Sequence, residues 1–150
     1  MKKDIKSKLD KLSKEELVDI INKLCEIPDV EKTLKLLVSP TKKDIDRELG
    51  SFERWCNSVA NNPCSEKAEN GLYTSAFLLW RAIDSVDVNT AARVLFEMYN
   101  LTSGITDYSD VAVDINCESC SCLNDLLKEY HGNFSKDEID KYTYITDIYD

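Results

Sequence analysis

The chain has 150 residues, with 19 Lys+Arg against 28 Asp+Glu for a formal net charge of −9, and it is 43% hydrophobic and 31% charged. That length suits one ordinary domain with its own core, and the mixture is globular rather than disordered. With 4 Gly and 3 Pro a collagen-like or linker-dominated chain is excluded, and the longest apolar run, Ala76-Phe77-Leu78-Leu79-Trp80, is far too short to cross a membrane.

The start, Met1-Lys2-Lys3-Asp4-Ile5-Lys6-Ser7-Lys8, has no apolar stretch after its basic residues, so a secretory signal is not expected and the chain reads as cytoplasmic. A short opening helix is expected over 3–12. Ser13 and Glu16 then form a capping box, and Leu17, Ile20, Ile21 and Leu24 follow at helical spacing as one buried stripe. Pro28 is expected to end or redirect that helix. Val30, Leu34, Leu37 and Val38 mark a second amphipathic helix, stopped by Ser39-Pro40. Thr41 caps a third, with Ile45, Leu49, Phe52, Cys56 and Val59 close to one face, and Gly50 invites a kink there.

Residues 66–84 form the most apolar helix, with Leu72, Ala76, Leu79 and Ile83 on one side and Phe77, Leu78 and Trp80 widening the stripe. Its apolar circumference predicts a central position. Ser85 or Asp87 caps the next helix, which carries Ala91, Val94, Leu95 and Met98 inward and stops at Thr102-Ser103-Gly104. Val111, Val113 and Ile115 alternate with Ala112 and Asp114 in the manner of a short strand, though a lone strand has no partner here. Helix resumes over about 119–130. Ser135 and Glu138 make a second capping box, and Ile139, Tyr142, Ile145 and Ile148 continue the pattern. The fold expected is all-α: a single compact acidic domain over 1–150, of six or seven helices. A stack of antiparallel helix pairs and an orthogonal bundle suit the connections equally.

Leu12-Ser13-Lys14-Glu15-Glu16-Leu17-Val18, Pro28-Asp29-Val30, Leu34 and Pro40-Thr41-Lys42-Lys43-Asp44 resemble the helical region found beside SWIM-type zinc fingers in some bacterial proteins. The resemblance covers residues 12–49. It implies a helical interaction surface and transfers no functional residue. A SWIM finger needs C-x-C followed by C-x-H; this chain has Cys120-x-Cys122 but no later Cys and no C-x-H.

Six cysteines (Cys25, Cys56, Cys64, Cys117, Cys120, Cys122) are expected as thiols in a reducing compartment. Cys117, Cys120 and Cys122 with His131 are the one ligand-like cluster, since tetrahedral zinc takes four sulfur or nitrogen donors. The spacing fits no common finger, so the preferred reading is a set of small residues near a helix start, with zinc as the alternative. Asp107, Asp110 and Asp114 lack the alternating order, central Gly and distal Glu of a calcium loop and read as a solvated acidic surface. Catalysis by a Cys–His pair needs an activated thiolate, which acidic surroundings oppose. No phosphate-binding or hydrolase motif occurs.

The charge is uneven. Residues 1–50 hold 12 basic and 11 acidic residues, 51–100 hold 4 and 6, and 101–150 hold 3 and 11. The acidic last third with its tyrosines nominates a partner-binding surface of Asp107, Tyr108, Asp110, Asp114, Glu118, Tyr144, Asp147 and Tyr149. The function expected is a non-catalytic helical protein–protein interaction module. Its sharper form is an acidic inhibitor that occupies the nucleic-acid site of a basic enzyme. The alternative is a small metal- or thiol-dependent enzyme, or a zinc-binding protein, using residues 107–131. Direct nucleic-acid or membrane binding is not expected of so acidic a chain. Self-association is open, through the lysine-rich start of one copy meeting the acidic end of another.

Overall fold

A computed structural model of the chain describes residues 3–146. The described residues are all-α, with eight α-helices, two 3₁₀ turns and no strand. The described helices number eight where six or seven are expected. None of the described helices is long and apolar enough to cross a membrane. The chain divides into two compact units, Met1–Lys35 and Leu36–Asp150.

The first unit holds α1 (Lys3–Leu9), α2 (Lys14–Leu24) and most of α3 (Pro28–Val38), within which the boundary falls. The Ser13 hydroxyl accepts from the Glu16 N–H at 3.1 Å, and the Glu16 carboxylate accepts from the Ser13 N–H at 2.8 Å, so the expected capping box is present. Pro28 opens α3 rather than ending α2, a first-turn position where its missing N–H costs nothing. The expected buried stripe of α2 is not buried: neither α1 nor α2 buries a residue, and Ile20, Ile21 and Leu24 are 40–44% exposed. Amphipathic spacing forms the stripe, but burial needs a second surface.

The second unit holds α4 (Lys42–Asn61), α5 (Glu66–Ile83), α6 (Val88–Ser103), a 3₁₀ turn (Thr106–Tyr108), α7 (Asp110–Glu129), a second 3₁₀ turn (His131–Asn133) and α8 (Lys136–Thr146). Thr41 and Asp44 cap α4 reciprocally, Asp87 caps α6, and Ser135 with Glu138 caps α8. Two buried clusters meet here. One gathers Ile45, Phe52, Val59, Leu72, Leu79, Met98 and Ile115; the other gathers Leu95, Leu123, Leu127, Phe134 and Tyr142. Trp80 and Ile83 pack against both, which makes α5 the central helix that its composition predicted.

Helix α4 runs unbroken through Gly50. The glycine that matters is Gly71 on α5: a Cβ there would stand 2.5 Å from Cε2 and Cε3 of the Trp55 indole. The bare α-carbon lets α4 and α5 approach through that ring. Ser75 of α5 donates to Glu48 of α4 at 2.6 Å, and Arg93 of α6 pairs with Asp46 of α4 at 3.0 Å.

The expected strand at 111–115 is helix: α7 begins at Asp110, not near 119. Ser109 caps it, and Ala112, Ile115, Asn116, Ser119, Cys120 and Leu123 line its buried face. Ala112, Asn116, Ser119 and Cys120 are small or polar, so the 3.6-residue period of that face does not register as an apolar stripe. Asn116 repays its burial by donating to Tyr99 O and Thr102 Oγ1, each at 3.0 Å, which joins α7 to the end of α6.

Candidate functional site: an acid-edged apolar face on α5 and α7

Burying one side of α7 turns its other side outward. Asp110, Asp114 and Glu118 recur every four residues on that side and are all exposed. At about 1.5 Å rise per residue they form a row about 12 Å long. Asp125 lies within the same arc two turns on, and Asp107 and Tyr108 sit in the 3₁₀ turn just before the helix, both exposed. None of the ion pairs among the described residues involves these carboxylates. Asp110 is favoured by the positive end of the helix dipole, whereas Asp114 and Glu118 gain nothing from it and repel each other. Like charges held in a row outside any ion pair cost stability.

Five of the eight nominated partner-binding residues (Asp107, Tyr108, Asp110, Asp114, Glu118) therefore fall together on one stretch. Tyr144 is 76% exposed on a different helix, α8. Asp147 and Tyr149 lie outside the described residues.

An apolar row flanks the acids, and its α5 half was not nominated from sequence. Ser109, at the start of α7, donates to the Glu69 carboxylate near the start of α5 at 2.6 Å. Asp84, at the end of α5, lies close enough to Cys122 on α7 to raise its thiol. The two helices thus run in the same direction, in register. One turn on from Glu69 and Ser109 come Tyr73 and Val113; one more turn brings Phe77 and Cys117. All four are exposed, with Tyr73 at 56%, Phe77 at 48% and Val113 at 37%. The expectation that Phe77 widens the buried stripe of α5 is corrected here. The buried line runs through Leu72, Ala76 and Leu79, and Phe77 stands one residue, about 100°, away from it.

The cysteine cluster is not assembled. Cys117 is exposed; Cys120 is buried with its Sγ 3.9 Å from the Ile145 carbonyl; Cys122 is half-buried, 3.6 Å from the Glu118 carboxylate. All three ride on one continuous helix, where Cys117 and Cys122 point about 140° apart. His131 is exposed past the end of α7, more than two turns beyond Cys122. Among the described residues no group of three or more His, Cys, Asp or Glu side chains is placed to hold a metal ion. Burial, then Glu118, pushes the Cys122 thiol up to about 11; burial, then Glu53, pushes Cys56 up to about 12. Both stay protonated at neutral pH, the opposite of an activated nucleophile.

A separate groove of about 570 Å³ lies between α6 and α8, walled by Phe96, Tyr99, Tyr144 and Ile145 with Asn100 and Lys141 at its polar edge. The Lys141 ammonium stands 4.4 Å from the Phe96 ring centroid, and Phe96 packs on Tyr142 at 5.2 Å. Tyr142 is buried behind this wall, while Tyr130 is exposed at the end of α7.

Compared with protein-family models, curated proteins and solved structures, the chain matches none. The functional reading accordingly rests on the surface itself.

Proposed function

We propose that this protein is a non-catalytic helical interaction module whose α5–α7 face receives a basic, partly apolar segment of another protein. What carries the reading is the Ser109–Glu69 bond that sets the starts of α5 and α7 together, with exposed Tyr73 and Phe77 following on α5 and exposed Val113, Asp110, Asp114 and Glu118 on α7, the three carboxylates outside any ion pair among the described residues. Aromatic and aliphatic side chains at the centre of a contact supply affinity, and a charged rim supplies steering and register.

A basic helix suits the row better than a groove built for nucleic acid does. Lysines on one face of a helix repeat every three or four residues, matching carboxylates about 6 Å apart. One DNA strand presents a phosphate about every 3.4 Å of axis, roughly twice the density of this row. The inhibitor reading is therefore kept in a narrow form: the basic partner's helix or arm is covered, and its nucleic acid is displaced as a consequence. The raised thiols of Cys56 and Cys122 support the non-catalytic part of the reading.

The test is a fluorescence titration of a synthetic amphipathic Leu/Lys helical peptide. Wild-type protein is expected to bind it, with affinity falling steeply as salt rises. Tyr73→Ser/Phe77→Ser is expected to weaken binding about tenfold or more with the salt slope kept, and Asp110→Asn/Asp114→Asn/Glu118→Gln to flatten the salt slope. Binding that neither variant changes would place the interaction elsewhere and end this reading.

A further inference from the structure

We propose that one occupant of the α5–α7 face is the basic N-terminal segment of a second copy of this chain, so that two copies exchange segments and close a dimer. The inference rests on the reading of that face given above.

Residues 3–14 carry Lys3, Lys6, Lys8, Lys11 and Lys14 against Asp4 and Asp10. Lys8 pairs with Asp4 at 3.0 Å on a fully solvated surface, and none of the other four lysines belongs to an ion pair among the described residues. Helix α1 buries nothing, and Ile5 is 48% exposed on it. The segment thus offers a short basic surface with an apolar residue on it. The face offers an acidic row with an apolar row beside it.

The lengths agree as well. Helix α1 spans about 10 Å, and the Asp110–Glu118 row about 12 Å. Opposite charges set along matching lengths attract and fix a register, while Ile5 meets Tyr73, Phe77 and Val113. Each copy carries one segment and one face. Two copies therefore satisfy both contacts by a two-fold exchange and leave no free end to propagate a filament.

The contact is dominated by solvent-exposed charge, so it is salt-sensitive. It also gives the face a built-in competitor: a basic partner must displace the segment of the second copy before it binds.

Sedimentation equilibrium of the full chain tests this. A mass of twice 17.1 kDa is expected at about 20 mM salt, falling to the monomer at about 0.5 M. Two charge-reversed chains sharpen it: Lys3→Glu/Lys6→Glu/Lys8→Glu/Lys11→Glu, and Asp110→Lys/Asp114→Lys/Glu118→Lys. All of these positions are exposed, so helical circular dichroism is expected to be kept. Each reversed chain alone is expected to be monomeric, because its segment and face then carry the same sign. Their equimolar mixture is expected to regain the doubled mass, since both cross-contacts are again complementary. A chain monomeric at every salt concentration, or a mixture that stays monomeric, overturns the dimer. If such a chain still binds the Leu/Lys peptide, the reading of the face survives without it; if it binds neither, both fall.

Discussion

The two units follow the same rules of helix formation and reach opposite outcomes. Helix α2 in the first unit and α8 in the second are each eleven residues long, and each starts at a Ser/Glu capping box. Yet α2 buries no residue, while α8 buries Ile145 and inserts Tyr142 into a core with Leu95, Leu123 and Phe134. Local chemistry decides that a helix forms and which face is apolar. Whether that face is covered depends on the surfaces the rest of the chain supplies. The first unit supplies too few.

The sharpest way to break this contrast is to truncate one leucine in each unit. Leu95→Ala is expected to destabilise by about 2–5 kcal/mol in urea unfolding, through lost burial and a residual cavity. Leu24→Ala, at a 44% exposed position, is expected to change stability by less than about 0.5 kcal/mol. Equal losses would show that the α2 stripe is covered in the isolated monomer. Amide hydrogen exchange should show the same division, with α2 exchanging far sooner than α5 and α7.

Next in size is Gly71→Ala, which drives a methyl group into the Trp55 ring and is expected to cost about 1–3 kcal/mol. Trp55→Leu in the same chain should recover part of the loss, an outcome that general helix weakening would not give.

The pH dependence separates helix starts from helix contacts. Hydrogen bonds from Thr41, Thr90 and Ser135 hold the carboxyls of Asp44, Asp87 and Glu138 below their ordinary values of 3.8, 3.8 and 4.5. Their stabilisation is therefore present above those values and lost as pH falls through the lowered ones. Glu48 runs the other way: burial raises it above 4.5, so its contribution favours the fold below that value and is lost as pH rises through the raised one. Melting temperature is expected to fall below about pH 4 in the wild type and to fall less in Asp44→Asn/Asp87→Asn/Glu138→Gln. Glu48→Gln is expected to raise it near pH 7 only.

The smallest expected effect is a gain. Ser119 Oγ is buried without a hydrogen-bond partner, so Ser119→Ala should stabilise by up to about 1 kcal/mol in the same urea measurement. A loss there would mean that the hydroxyl has a partner in solution.

These contrasts also mark what was legible in the sequence. Ser13 with Glu16, Thr41 with Asp44 and Ser135 with Glu138 are readable because a cap is built within four residues. Helix α7 was misread at its start because Asn116 and Ser119 sit where an apolar period was sought. Asn116 fits there only through acceptors on α6, far away in sequence. The carboxylates of the candidate site could be nominated from the excess acid of the last third, though not as one helix face, since 111–115 reads as a strand. The apolar half of the site could not, because Tyr73 and Phe77 become surface only once the rest of α5 has been covered. The thiol and imidazole donors cluster in sequence, yet a continuous helix carries the three thiols to different sides and ends before His131.

The indole of Trp55 lying across Gly71 also limits how this scaffold can move. A slip of one residue along α5 would bring the side chain of Asn70 or Leu72 under the ring, where no space exists. The α4–α5 pair is therefore locked against sliding.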